Sequence, residues 1–186
     1  VRKGIKKVFY SSSACMYPEH NQLDPNDPNC EESSAYPANP DSEYGWEKLF
    51  SERLFLAFNR NYKLNVRVAR FHNIFGPQGT WNGGKEKAPA AMCRKVIESS
   101  DNSSIEVWGD GKQTRTFCYI DDNIDTIVKC LEEEKFENDI LNIGSDIECS
   151  VLDLAKIVIN QTSSNSKIIH LPPLPEGDMT RRQPDI

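Results

Sequence analysis

An α/β fold built on a parallel sheet is what this sequence predicts. Three observations carry the prediction. Residues 5–13 form a short apolar run, Val8-Phe9-Tyr10, that passes straight into Ser11-Ser12-Ser13. Residues 43–62 place Leu49, Leu54, Phe55 and Phe58 at helical spacing. Residues 64–71 alternate Leu64, Val66 and Val68 against Asn65 and Arg67, which is a strand pattern. Strand, helix and strand in this order and of these lengths form a parallel crossover unit.

The remaining elements follow in chain order. Residues 18–42 are rich in Pro, Asn, Asp and Glu and have no period. They predict a long loop, which in a compact domain usually carries function. Asp41 or Ser42 can cap the helix that follows. His72-Asn73-Ile74-Phe75-Gly76-Pro77 reads as a turn, and residues 79–87 as a second, Gly-rich loop. A helix is predicted over 88–99, with Pro89 in its first turn, where a missing N–H costs nothing. Strands are predicted at 104–108, 114–120, 140–143 and 167–171, with a turn at Gly109-Asp110-Gly111 and a helix over 121–134. Ser150 with Asp153 forms a variant capping box that opens a helix to Gln161.

Composition excludes several classes. The 186 residues carry a net charge of −6, so no basic field draws nucleic acid. No apolar run is long enough to span a membrane as a helix, so no membrane partner is expected. Six cysteines and three histidines show neither a CxxC pair nor zinc spacing, so no metal site is expected. Most of the cysteines sit in apolar patterns, as buried free thiols do, which points to a reduced, cytoplasmic compartment. The first residue is Val1, and the charged opening segment is no signal peptide, so a piece of a longer protein is expected.

Ser11 to Lys48 holds the chemistry. An alcohol gives up hydride only as its proton leaves, and a free phenol near pKa 10 is a poor base at neutral pH. A lysine ammonium close to the ring favours the phenolate. Tyr44 and Lys48 are four apart on a predicted helix and share one face. Ser13, at the strand end, can bond the same alcohol oxygen. Together they form an acid/base device suited to a nicotinamide cofactor.

With this unit, the turn Asn73-Ile74-Phe75-Gly76-Pro77, the segment Trp108-Gly109-Asp110-Gly111-Lys112-Gln113-Thr114-Arg115 and Asn142-Ile143-Gly144, the chain resembles the extended short-chain dehydrogenase/reductase family acting on nucleotide sugars. The resemblance covers essentially the whole chain. It implies the C-terminal part of a Rossmann-like doubly wound parallel sheet plus a smaller α/β substrate-binding lobe. Residues 1–78 would be the remnant of the NAD-binding domain. Residues 79–186 would be mainly the substrate lobe, with 114–145 returning to the Rossmann side. It implies NAD as cofactor, touched by Ser13, Tyr44, Lys48, Phe71 and His72, and a homodimer for the full-length protein. The Gly-rich turn that holds NAD in this family is absent, so the piece alone is expected neither to retain NAD nor to turn over.

Three segments look like those family members that invert C3 and C5 of a GDP-hexose: Ser12-Ser13-Ala14-Cys15-Met16-Tyr17-Pro18, the run from Arg70 to Trp81, and the run from Gly83 to Lys95. A ketone at C4 acidifies the C–H bonds at C3 and C5, so inversion needs a base on one ring face and an acid on the other. Resemblance assigns these roles to Cys15 and to Lys87, the latter expected to lose proton affinity by burial. Which of the two removes the proton stays open. Resemblance also puts Ser13, Ala14, Cys15, Tyr44, Asn73, Glu86, Lys87 and Ala88 against the substrate. It puts Lys95 and Arg182 at its phosphates, with Arg181 able to replace Arg182, and Gln113, Thr114 and Arg115 along the nucleotide. A 4-epimerase, dehydratase or decarboxylase of the same family, or an inactive fragment, is the alternative.

Overall fold

A computed structural model of the protein describes residues 3–24, 26, 30–99, 103–173 and 180–186. In chain order the elements are β1 (Lys7–Ser13), α1 (Glu43–Tyr62), β2 (Asn65–Phe71), β3 (Ile74–Phe75), α2 (Ala88–Glu98), β4 (Ser104–Trp108), β5 (Thr114–Thr116), β6 (Cys118–Tyr119), α3 (Ile120–Glu132), β7 (Ile140–Ile143), β8 (Glu148–Ser150), α4 (Val151–Gln161), β9 (Lys167–Leu171) and β10 (Arg181–Arg182).

β1, α1 and β2 make the crossover that the apolar pattern predicts. β1 runs parallel to β2, with Lys7 opposite Asn65 and Ser13 opposite Phe71. β7 lies parallel on the other side of β2, giving the order β1-β2-β7. The central strand is the driest: Val66, Val68 and Ala69 are wholly buried. Leu64, Val66 and Val68 pack with Tyr10, Phe55 and Ile140, so α1 covers the sheet with one apolar side. Ser42 caps α1, its Oγ accepting from Gly45 N at 3.3 Å. Lys63 ends the helix in the left-handed region at φ 58, donating back to Asn59 O. The fold is thus α/β, with a parallel Rossmann-like sheet.

A second packing centre lies between α2, α4 and the parallel pair β4–β9. Met92, Val96, Ile105, Val107, Leu154, Ala155 and Val158 form its core. Burying such side chains contributes roughly 1.5–3 kcal/mol each. β5 pairs antiparallel with β8 and parallel with β10, which places the chain end beside the Gln113–Arg115 segment.

The structure revises three expectations. The strand expected over 114–120 is two strands, because the chain changes partner at Phe117: β5 serves β8 and β10, while β6 serves β3. β3, β8 and β10 are too short to show a period. The 18–42 loop is partly core. It carries short 3-10 turns at Glu19–Gln22 and Glu32–Ala35 and contributes Cys30 and Ala35 to a cluster with Ala14, Met16, Tyr17 and Leu49.

Candidate active site

Ser13 ends β1 and caps the 3-10 turn Ala14–Met16, its Oγ accepting from Cys15 N at 3.3 Å. One turn of chain therefore sets Ser13, Ala14 and Cys15 together at the C-terminal end of the sheet, where open α/β folds bind ligands. That turn rests directly on the start of α1. A Cβ added at Gly45 would lie 2.2 Å from Cys15 O and 2.7 Å from Pro40 Cβ, so only glycine permits the approach. Tyr44, the next residue back, is 51% exposed and open to a ligand. Lys48 is on the same helix face. Its Nζ donates to Ser11 O at 3.1 Å and stands 5.5 Å from the Tyr44 ring centroid and 5.2 Å from that of Tyr10.

A buried polar network holds this assembly from behind. Ser12 Oγ donates to Glu52. Glu52 pairs with Arg70 through contacts of 2.8 and 3.1 Å, both side chains being 2% exposed. Arg70 also donates to Tyr17 Oη at 3.1 Å and to Glu32 O at 2.8 Å. Tyr17 Oη donates in turn to Asn142 Oδ1 at 2.7 Å. Burial pushes the Tyr17 phenol up to about 12, against the opposing pull of Arg70. Burial also pushes the Cys30 thiol up to about 11. Removing one partner of a buried ion pair leaves an uncompensated charge, so the Glu52–Arg70 pair locks α1 to β1 and β2.

His72, which the resemblance puts beside the cofactor, also joins this network. In the structure it is wholly buried, its Nε2 is 3.1 Å from Asn142 Oδ1, and burial drives its pKa down to about 4. Phe71 is half-buried, its ring 6.4 Å from that of Phe9.

A second group lies at α2. Lys87 is the N-cap residue and, with Ala88, is exposed. The expectation of a buried lysine is therefore corrected: Lys87 follows the open Gly83-Gly84 turn and lines a cavity of about 660 Å³ with Phe75, Gln78, Lys85 and Tyr119. Glu86 is pinned by Arg94 at 2.8 Å; backbone N–H groups and that guanidinium hold its carboxyl below the usual range. Its Oε2 is buried without a partner, as is Asn73 Nδ2. Asn73 sits in the left-handed region at φ 48. These orphaned polar atoms suit a ligand that can complete them.

The third group lies at β4 and β5. Lys95 Nζ donates to Glu106 O at 3.0 Å. Gln113 donates to Trp108 O, Thr114 Oγ1 to Glu148 and Arg115 to its neighbour's carbonyl, Thr114 O. Arg181 is held bidentately by Glu148 at 2.7 and 2.6 Å, so it is not a spare phosphate ligand. Arg182 faces the other way, as successive strand residues do. It is 9% exposed and meets Gln22, Asp41 Oδ2 (3.3 Å) and Cys15 Sγ (3.5 Å). All three guanidinium nitrogens have protein partners.

The structure thus gathers Ser13, Ala14, Cys15, Tyr44, Lys48 and Arg182 at one place. It places Glu86, Lys87 and Ala88 at the start of α2 and Asn73 just before β3, and among the described residues no hydrogen bond or ion pair joins Lys87 to the first group. Gly45, Gln22 and Glu52 escape sequence reasoning. Only Gly45 carries a signal, being a poor helix former in the first turn of a long helix.

The family described as NAD dependent epimerase/dehydratase matches residues 1–144. GDP-mannose 3,5-epimerase of Arabidopsis thaliana is 45% identical over 94% of this chain and 45% of its own length. UDP-N-acetylglucosamine 4-epimerase of Methanobrevibacter ruminantium, solved with UDP-N-acetylmuramic acid, superposes with a TM-score of 0.85 at 25% identity, over 100% of this chain and 56% of that one. UDP-glucuronic acid 4-epimerase of Bacillus cereus, solved with UDP-glucuronic acid and NAD, gives a TM-score of 0.79 at 25% identity, over 97% and 52%. The chain spans less than half the length of the GDP-mannose 3,5-epimerase it matches.

Proposed function

The chain belongs to the NAD dependent epimerase/dehydratase family, and from that premise we propose that it supplies the proton-handling half of an epimerase that inverts C3 and C5 of the hexose in GDP-mannose. The observation that carries the reading is the joint placement of Ser13, Cys15, Tyr44 and Lys48 around the Gly45 contact. Tyr44 takes and returns the proton of the C4 hydroxyl, Ser13 bonds that oxygen, and Lys48 places a positive charge beside the phenol. NAD, when bound, supplies reversible hydride acceptance at C4. The residues present fit its nicotinamide end: Tyr44 is half exposed, and Lys48 is anchored through a single backbone carbonyl.

Cys15 and Lys87 move the protons at C3 and C5. The exposure of Lys87 in a cavity wall is compatible with a group that meets a substrate bound there. Asn73 and Glu86 do not line that cavity; we assign them to the substrate because Asn73 Nδ2 and Glu86 Oε2 are buried without a partner, and Lys95 remains the phosphate candidate. A 4-epimerase would leave Cys15 and Lys87 with no proton to move, which favours the present reading. We further propose a homodimer through α1, whose Trp46, Phe50, Leu54, Phe58 and Tyr62 form an exposed apolar stripe at four-residue spacing. A reducing, cytoplasmic compartment is part of the same proposal, supported by cysteines that sit in apolar sequence patterns.

The test is proton NMR of GDP-mannose turned over in D₂O by the full-length chain. Deuterium entering at C3 and C5 is expected, with Tyr44→Phe abolishing both. Turnover without deuterium at either carbon rejects the reading.

A further inference from the structure

Arg182 stands 167 positions from Cys15 in the sequence, yet donates from Nη1 to Cys15 Sγ at 3.5 Å. The rest of its fork is pinned. Nε donates to Gln22 Oε1, and Nη2 pairs with Asp41 Oδ2 at 3.3 Å. Gln22 is itself wholly buried, its amide nitrogen donating to Tyr17 O at 3.3 Å and Pro18 O at 3.2 Å. Asp41 accepts from Ser42 Oγ, the cap of α1. The guanidinium is therefore fixed by the two segments that flank the candidate site: the one carrying Cys15 and the one opening the helix of Tyr44.

We propose that Arg182 is the positioning residue for Cys15, holding its sulfur beside the start of α1 for proton transfer at C3 or C5. This rests on the reading of Cys15 as one of the two proton-transfer groups. A planar, permanently charged guanidinium suits the task, because a charge-assisted N–H donor both orients an anion and favours it. Thiolate character, and with it reactivity, rises next to arginine. Burial of Arg182 keeps the interaction from being screened by salt. Asp41 on the far nitrogen offsets part of the field at the sulfur. The neighbouring Arg181 has no such link to the site, since Glu148 holds it bidentately.

The experiment is alkylation of the full-length chain by iodoacetamide at pH 7 without substrate, read by peptide mass spectrometry as the rate at Cys15 relative to exposed Cys93. Arg182→Gln is expected to lower that ratio about tenfold, Arg182→Lys to restore part of it through its charge, and Asp41→Asn to raise it about threefold. An unchanged ratio in a folded Arg182→Gln variant overturns the proposal, as does a rise in KM for GDP-mannose with no change in the ratio. Should Arg182→Gln fail to fold, an unchanged ratio in Asp41→Asn overturns it instead. Alkylation needs no turnover, so failure of the deuterium experiment and failure of this one are separate results.

Discussion

Gly45→Ala separates positioning from folding more sharply than any change to a reacting group. The added methyl would stand 2.2 Å from Cys15 O, where real Cβ contacts stay beyond 3.0 Å. The 3-10 turn and the start of α1 must therefore move apart by about 1 Å, a displacement that near a reacting centre costs on the order of 10²-fold in rate. Overpacking of this kind costs about 1–3 kcal/mol, while replacing Gly by Ala inside a helix returns about 1 kcal/mol, so the net loss of stability is about 0–2 kcal/mol. The variant of the full-length chain should stay folded, with a Tm only a few degrees lower, yet turn over about 100-fold more slowly. Thermal denaturation followed by circular dichroism gives the first quantity and turnover of GDP-mannose the second. A folded Gly45→Ala protein with kcat within twofold of the parent would refute the claim that this contact sets Cys15 against Tyr44.

The other predictions concern the support behind the site. Glu52→Ala leaves Arg70 buried and unpaired and should cost about 3–5 kcal/mol, whereas the double variant Glu52→Leu/Arg70→Met should recover more than half of that loss in urea denaturation. The pKa of His72 is about 4 folded against 6.5 unfolded, so as pH falls the unfolded chain takes the proton first. Its contribution is complete above pH 6.5 and drains away toward pH 4, about 2 kcal/mol being lost by pH 5; His72→Gln should flatten that slope, measured as urea midpoints at pH 7 and 5. Ser42→Ala removes the side-chain cap of α1 and should cost about 1 kcal/mol in the same assay.

Local pattern carried most of the fold. α1 was legible from its apolar spacing and cap residues, and β2 and β4 from alternation, because the forces that form them lie within a few residues. β3, β8 and β10 were not, since strands of two or three residues owe their existence to a distant partner. The site divides in the same way. Tyr44 and Lys48 are a helical i,i+4 pair and could be read directly, and Ser13 with Cys15 is a single turn. Nothing local to His72 shows that its ring lies in the interior. Asn142, seventy positions on, makes it an interior residue. The engagement of Arg182 by Gln22 and Asp41 depends on loop folding that no local period announces. Lys87 was read as buried, but a helix start that follows a Gly-Gly turn stays in solvent.

Asn142 has a consequence for observation as well as for stability. Its Nδ2 donates to Cys30 O and Asp185 O, which settles the amide orientation and leaves Oδ1 as an acceptor for both Tyr17 and His72. The imidazole must therefore carry its hydrogen on Nε2, and Nδ1 is left bare in the interior. That tautomer has a distinct nitrogen-15 signature. A single ring in the middle of the molecule thus becomes a reporter: its spectrum will say whether the residue-30 segment and the chain terminus are both docked on the same amide.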